Sequence, residues 1–484
     1  MNFQFIDEPH LEFGTGMHVC PRAGISEHSV FDTRMAARRT RILVGAVGTS
    51  DVLGKFREWI DKCTRFIPGK SHSRQPNLFP DFCGFNSQVG FKASIVHEDE
   101  IVRSILQSDI RGVLKIADAT ERVNAAVEVY YPHIKFLSQN RAVDVIVCII
   151  PDDLYNKVVD SAEDASGESS AIEEVQEGVE EAQPSSIDLE SNFRRALKAK
   201  SMHLNKPLQL IREFSLNSNP KTQQDDASKA WNFSTALYYK ANQTVPWKLV
   251  SNVNRPSVCF VGIGFYRSRD REVLNTSIAQ IFDELGNGVI LRGTPVEIDK
   301  TDRRPHLTAP QATALLSNAL SEYRVAMSAF PSRIVIHKSS TFNESELEGF
   351  RAAATDARVG ATDFVTILDT DIKLFRKGIY PPYRGTHIEL DRETHLLYTR
   401  GAVKYYRTYT GLYIPQPLEV RIIESDESAS LICSEILALT KMNWNNTQFD
   451  GRLPITLACA KRVGEIMKYL DETDKPQISY SYYM

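Results

Sequence analysis

The run Val258-Cys-Phe-Val-Gly-Ile-Gly-Phe-Tyr-Arg267 constrains the fold more than any other stretch. It is apolar and bounded by polar and turn residues, which is the pattern of a central strand in an α/β sheet. Arg41-Ile-Leu-Val-Gly-Ala-Val-Gly48 shows the same pattern early in the chain. Thr49-Ser50-Asp51 then reads as a helix N-cap, and Val52 to Cys63 has helical periodicity. Strand, turn and helix in that order make one unit of a parallel sheet. A third buried run, Val143 to Ile150, stops at Pro151. With 484 residues the chain exceeds one ordinary core, so two to three domains are expected.

The bulk numbers exclude more than they identify. A hydrophobic fraction of 42% and a charged fraction of 24% belong to a folded globular chain. The net charge of −4 neither favours nor excludes nucleic acid, because bases can gather on one face. Small basic clusters occur at Arg38-Arg39-Thr-Arg41, Arg194-Arg195 and Lys198-Ala-Lys200, where solvated surface is the simplest reading. The seven cysteines are scattered and form no CxxC pair, so neither a disulfide framework nor a zinc site is expected. His133, His203, His337 and His387 have no ligand spacing. Gly45-Ala-Val-Gly48 lacks the full dinucleotide fingerprint. No signal peptide and no apolar span of about 18 residues is read, and a cytoplasmic protein is expected.

Organisation follows from punctuation. Residues 1–35 read as irregular, because Gly14, Gly16, Pro21 and Gly24 break any period. The stretch Ser161 to Glu190 is acidic and lacks aromatics, which predicts a mobile insert at about 158–190. Helical patterns cover Phe193 to Lys200 and Ser228 to Tyr239, with Pro-Leu-Gln-Leu-Ile from Pro207 between them, and Val245-Pro246-Trp247 marks a boundary. The expected division is 1–35, 36–246 and 247–484. After the strand at Val258 the spacing predicts a helix ending near Gly286-Asn-Gly288 and a long helix from Gln311 to Met327. Strands at Arg333 to His337 and Phe364 to Asp369, a hairpin at Thr394 to Thr399 and a helix from Leu453 to Tyr469 follow.

These segments carry a family resemblance. Val258 to Arg267 resembles the first strand of the Argonaute PIWI domain, and Pro331-Ser-Arg-Ile-Val-Ile-His-Lys-Ser-Ser340 a second PIWI strand. Thr440-Lys-Met-Asn-Trp-Asn-Asn-Thr-Gln-Phe-Asp450 and Leu453-Pro-Ile-Thr456 are similar to the family's C-terminal signature. With Glu8-Pro-His-Leu-Glu-Phe-Gly14 they resemble the short prokaryotic Argonautes, which consist of MID and PIWI domains. The resemblance implies an α/β chain: a Rossmann-like MID domain followed by an RNase H-like PIWI domain. Nuclease-active members need several carboxylates on two metal ions. The matching positions here are Gly264, Ser339 and Lys461, which implies no slicing. Asp270, Glu284 and Glu344 lie nearby and read as surface charge. An active nuclease with a rearranged carboxylate set is the alternative, and a scaffold without a guide is a third reading.

The resemblance also implies a pocket for a guide 5′-phosphate. Arg194 and Lys198 share one helix face, Gln209 supplies an amide, and Lys240 supplies a point charge. Thr244 departs from the family pattern, where a second lysine is often found. The tail Tyr480-Ser-Tyr-Tyr-Met484 would tuck between MID and PIWI, with the Met484 carboxylate helping to hold Mg²⁺ at the phosphate. The implied partners are a guide RNA, a single-stranded target DNA and an effector subunit with an APAZ-like region fused to a sirtuin-like or TIR domain. Target recognition would then deplete NAD as an antiviral response, with a higher oligomer on target binding.

Overall fold

The structure is a computed structural model. It describes residues 2–36, 38–71, 73–158, 192–217, 224–250, 257–269, 273–282, 288–296, 304–377, 381–411, 413–470 and 474–484. The expected acidic insert therefore lies, apart from Val158, outside the described residues, as do Asp270 and Glu284.

Residues 1–35 are not irregular. They hold strands β1 (Asn2–Phe5), β2 (Leu11–Glu12) and β3 (Met17–His18) and helix α1 (Pro21–His28). The residues taken for breakers are turn and packing residues. Phe13 N donates to Gly16 O at 2.9 Å to close the β2–β3 turn. Pro21 opens α1 at a position where its missing N–H costs nothing. A Cβ on Gly24 would strike the Phe13 ring.

The first unit is a parallel sheet. Its early elements are β4 (Arg41–Thr49), α2 (Ser50–Cys63), β5 (Ser94–Val96), β6 (Val102–Ile105), α3 (Gln107–Leu114) and α4 (Ala119–Asn140). Then come β7 (Val145–Ile150), α5 (Asp152–Val158), α6 (Phe193–Ser201), β8 (Leu208–Arg212), α7 (Glu213–Leu216) and α8 (Asp226–Asn242). The strand order is β5-β4-β7-β8, with β6 also paired to β4. All these pairings are parallel, and β4 and β7 are apolar through their centres, as strands covered by helices on both faces must be. One apolar cluster lies between the sheet and α3, α4 and α5, and another between the sheet, α2 and α8.

The second unit opens with β9 (Lys248–Leu249), which pairs back to β2. It continues with β10 (Val258–Arg267), β11 (Leu274–Phe282), β12 (Gly288–Pro295), α9 (Ala309–Met327), β13 (Arg333–Lys338), α10 (Glu344–Asp356) and β14 (Ala361–Asp369). Next are β15 (Thr386–Glu389), β16 (Thr394–Leu397), β17 (Ala402–Val403), β18 (Thr408–Tyr409), β19 (Leu418–Glu424), α11 (Ala429–Leu439) and α12 (Ile455–Met467). Nine strands form one sheet in the order β1-β15-β16-β19-β14-β13-β10-β11-β12. β10, β13 and β14 are parallel at its centre, and the flanking pairs are antiparallel. The helix expected to end near residues 286–288 is not formed where the chain is described: Leu274–Phe282 is the strand β11, antiparallel to β10. Its Thr, Ile and Phe residues suit a sheet. Among the described residues no helix is long and apolar enough to cross a membrane.

The N-terminal segment is pinned to the second unit by a buried charge cluster. Glu8 accepts from Arg384 Nε at 3.0 Å and lies 3.1 Å from Lys441 Nζ. Burial raises the Glu8 pKa, but the two cations outweigh it and leave the carboxyl below its ordinary value. Burial pushes the Lys441 ammonium down to about 8 against the pull of Glu8.

Candidate nucleic-acid interface

Helix α6 begins where Asn192 Oδ1 accepts from the backbone N–H groups of Arg194 and Arg195, at 3.1 and 3.3 Å. The helix presents Lys198 inward, and its side chain is drawn out of water together with those of Gln209 and Lys240. Lys198 Nζ donates to the main-chain oxygen of Met484. Gln209 lies on β8, in register with Val147 of β7. Lys240 sits in the last turn of α8, where the helix dipole favours a cation, and donates to Gln209 Oε1 at 2.5 Å. The Lys198 charge also acts on Cys148, the residue after Val147 on β7. Arg194 lies half-buried on α6, one turn from Lys198.

The tail closes this site from the other unit. Tyr480, Tyr483 and Met484 are buried. Ile290 N of β12 donates to Ile478 O at 2.9 Å, Gln477 Nε2 to Met202 O at 3.2 Å, and the Tyr483 hydroxyl to Gln477 O at 2.9 Å. The site is thus a seam between the two units, not a pocket of the first unit alone. Arg195 reinforces it through an ion pair with Glu465 of α12 at 2.7 Å, and Asn192 N donates to the Tyr469 hydroxyl at 2.8 Å. Trp247 Nε1 donates to Lys441 O at 3.0 Å, Trp444 Nε1 to Trp247 O at 3.1 Å, and Tyr239 stacks on Trp444 with centroids 5.0 Å apart.

At this seam an oxygen of the C-terminal Met484 and Gln209 Oε1 each accept from an ammonium group. Mg²⁺ is ordinarily held by one or two carboxylates together with phosphate and water oxygens, so a Mg²⁺ here would draw on the Met484 carboxylate and on the phosphate itself. Among the described residues no group of three or more His, Cys, Asp or Glu is placed to hold a metal.

The carboxyl ends of β10 and β13 bring a second set of expected positions together. Ile263 is in register with Lys338, so Gly264 and Ser339 are the next residues on adjacent strands. Helix α12 runs along β10: a Cβ on Gly262 would meet the Thr456 carbonyl, and Gly464 rests on Tyr266. Lys461, exposed, lies on the turn between those two contacts. Gly264 and Ser339 therefore share one end of the sheet, and neither they nor Lys461 bears a carboxylate. Glu344 faces solvent at the start of α10 and pairs with Arg351 at 2.8 Å. His337 points at α12, with Nδ1 2.9 Å from Thr456 Oγ1, and burial pushes its pKa down to about 3.

No family model matches the sequence, and no curated protein does. Solved structures do. The Clostridium butyricum Argonaute, recorded with a guide DNA and a 19-mer target DNA, matches with a TM-score of 0.66 at 15% identity, over 99% of this chain and 54% of that one. The Aquifex aeolicus Argonaute matches at 0.59 and 16%, over 99% and 54%. Drosophila Piwi matches at 0.60 and 14%, over 99% and 56%. The fold is that of Argonaute and Piwi proteins. The chain spans about half the length of these matches.

Within this Argonaute-like fold the expected residues separate into two groups. Lys198 meets Met484, and Lys240 meets Gln209, at the seam; Gly264 and Ser339 lie side by side past the paired ends of β10 and β13, and Lys461 is exposed on α12. Thr244, at the place of the second lysine, donates to Asp32, which also accepts from the Tyr238 hydroxyl at 2.6 Å. It is committed to the first unit. Sequence reasoning missed Arg195 as a bridge, because nothing local distinguishes it from the adjacent Arg194. It missed the Trp247–Trp444 contact because the two residues are 197 positions apart.

Proposed function

We propose that the chain is a guide-loaded nucleic-acid sensor. It holds the 5′-phosphate of a small guide RNA at the seam and pairs the guide with complementary single-stranded DNA. The observation that carries this reading is the pair of buried ammonium groups, Lys198 and Lys240, at 6% and 0% exposure. Taking an ammonium out of water costs several kcal/mol. Lys198 already donates to an oxygen of the C-terminal Met484 and Lys240 to the Gln209 amide, and a phosphate, carrying about −1.5 to −2 charges, would add charge-assisted hydrogen bonds to these same donors. The guide DNA and target DNA recorded with the Clostridium butyricum structure support guide and target binding by analogy, the guide there being DNA. Gly264, Ser339 and Lys461 offer no ligands for two-metal hydrolysis, which favours a sensor without slicing of its own. The effector is then a partner with an APAZ-like region and a sirtuin-like or TIR domain that depletes NAD. Target must bind its active assembly better than the resting one.

The test is binding of one guide in 5′-phosphorylated and 5′-hydroxyl forms. Charge-assisted bonds contribute about 1.5–3 kcal/mol each. Lys198→Ala combined with Lys240→Met should therefore weaken the phosphorylated guide by roughly a hundredfold or more and the hydroxyl guide little. Equal losses for both guides refute the assignment.

A further inference from the structure

Beyond the phosphate seam, the carboxyl end of β14 carries an unusual surface. Two loops meet there. Residues 370–377 leave β14 and residues 413–417 lead into β19, and Asp369 is in register with Leu418. Thr370 Oγ1 donates to Pro417 O at 2.9 Å and joins them. Leu374 N donates to the Tyr398 hydroxyl at 3.1 Å, and the Tyr409 hydroxyl to Tyr413 O at 2.6 Å. The loops are anchored, yet Phe375 is 63% and Tyr413 55% exposed, with Ile372 and Ile414 beside them also exposed.

Cations outnumber acids around these rings, although Asp369, paired with Arg452 at 2.9 Å, precedes the first loop and Asp7 lies 3.7 Å from Lys404. Residues 400–414 contain Arg400, Lys404 and Arg407 and no acid, and residues 370–377 contain Lys373, Arg376 and Lys377 against Asp371. Three of the six cations are used inside the protein. Lys404 lies over the Phe5 ring, Arg376 lies over the Tyr383 ring, and Arg400 reaches Asp450 O. Lys373, Lys377 and Arg407 are exposed. Arg407 has a φ of 54°, a left-handed conformation costly to a residue with a side chain, in the turn between β17 and β18. The surface is one strand, about 4.8 Å, from the strand that leads to Ser339, on the edge where parallel sheets take their ligands.

We infer that these loops are a stacking platform for unpaired nucleotides of a single strand, with bases on Phe375 and Tyr413 and phosphates on Lys373, Lys377 and Arg407. Exposed rings among exposed cations suit bases and phosphates, and each stacked base contributes about 1–3 kcal/mol whatever its sequence. The inference rests on the guide-binding reading only in placing a strand across this edge.

The test uses the full chain and RNA and DNA oligonucleotides with 2-aminopurine at successive positions, with and without a 5′-phosphate. Stacking should quench the fluorophore at one or two positions. Phe375→Ala with Tyr413→Ala should abolish the quenching and weaken binding by roughly tenfold or more, with discrimination between 5′-phosphate and 5′-hydroxyl unchanged. Lys373→Ala with Lys377→Ala should lower the slope of log K against log salt by about 1.4. Unchanged quenching and affinity in the aromatic variant overturn the platform. So does loss of a protein partner with oligonucleotide binding intact, which reassigns the surface. Failure of the guide reading alone shows differently, as quenching that persists with no preference for the 5′-phosphate.

Discussion

His337 shows how one side chain couples the second unit to pH. Its neutral ring is locked between β13 and α12, and protonation would put a charge beside Thr456 in a site closed to water. Its folded pKa of about 3 lies below the ordinary value of 6.5, so between those limits the unfolded chain binds the extra proton. Stability from this group is present above pH 6.5 and is lost as pH falls toward 3. By pH 5 the loss should reach about 2 kcal/mol. Urea unfolding at pH 7 and pH 5 checks this, with His337→Gln, which titrates no proton here, losing correspondingly less. Parallel losses in both proteins would mean that the ring accepts its proton without penalty. Lys338, the next residue, points to the opposite face and is buried against Glu346, 2.7 Å from both carboxylate oxygens. Alternation along one strand thus sends a neutral ring to α12 and an ion pair to α10.

At the scale of elements, the contact of α12 with β10 decides how closely the helix lies on the sheet. The helix approaches closely because Gly262 has no side chain. Gly262→Ala would drive a methyl into the Thr456 carbonyl, which is backbone and can yield only if the whole helix shifts. Such overpacking costs about 1–3 kcal/mol. The midpoint of denaturant unfolding should fall accordingly, and an unchanged midpoint would show that α12 slides freely on the sheet. The same elements explain what was legible beforehand. Strands β4, β7 and β10 are buried through long apolar runs and β13 and β14 through short ones, Ile334 to Ile336 and Phe364 to Ile367 around Thr366, and such runs stand out without a partner in view. β2 and β3 have two residues each, too few to show a period, and β2 finds its second partner in β9, far along the chain. β11 was misread because its polar residues interrupt the alternation that marks a strand. At the seam, Lys198, Gln209 and Lys240 were picked out only through a family resemblance. Lys198 lies 286 residues from its partner Met484, and no local pattern reports a contact of that kind.

For the whole molecule, the question is whether the two units act as one. The hydrophobic core that begins under β2 continues through Trp231 and Trp247 to Trp444, Val463 and Tyr483, so apolar packing crosses the seam without a break. The Arg195–Glu465 pair lies across that seam, with side chains 16% and 24% exposed, sheltered enough to escape part of the screening that weakens surface pairs. A double-mutant cycle with Arg195→Ala and Glu465→Ala should return a coupling of roughly 0.5–1 kcal/mol in stability. A charge swap would be a poorer test, because Lys468 also contacts Glu465, at 3.0 Å, and would repel an arginine placed there. If the seam holds the guide phosphate, each single variant should also weaken a 5′-phosphorylated guide, since α6 carries both Arg195 and Lys198 and loses its anchor on α12. A stability coupling near zero, with guide affinity unaffected, would mean that the apolar core alone aligns the units and that the ion pair is incidental to the site.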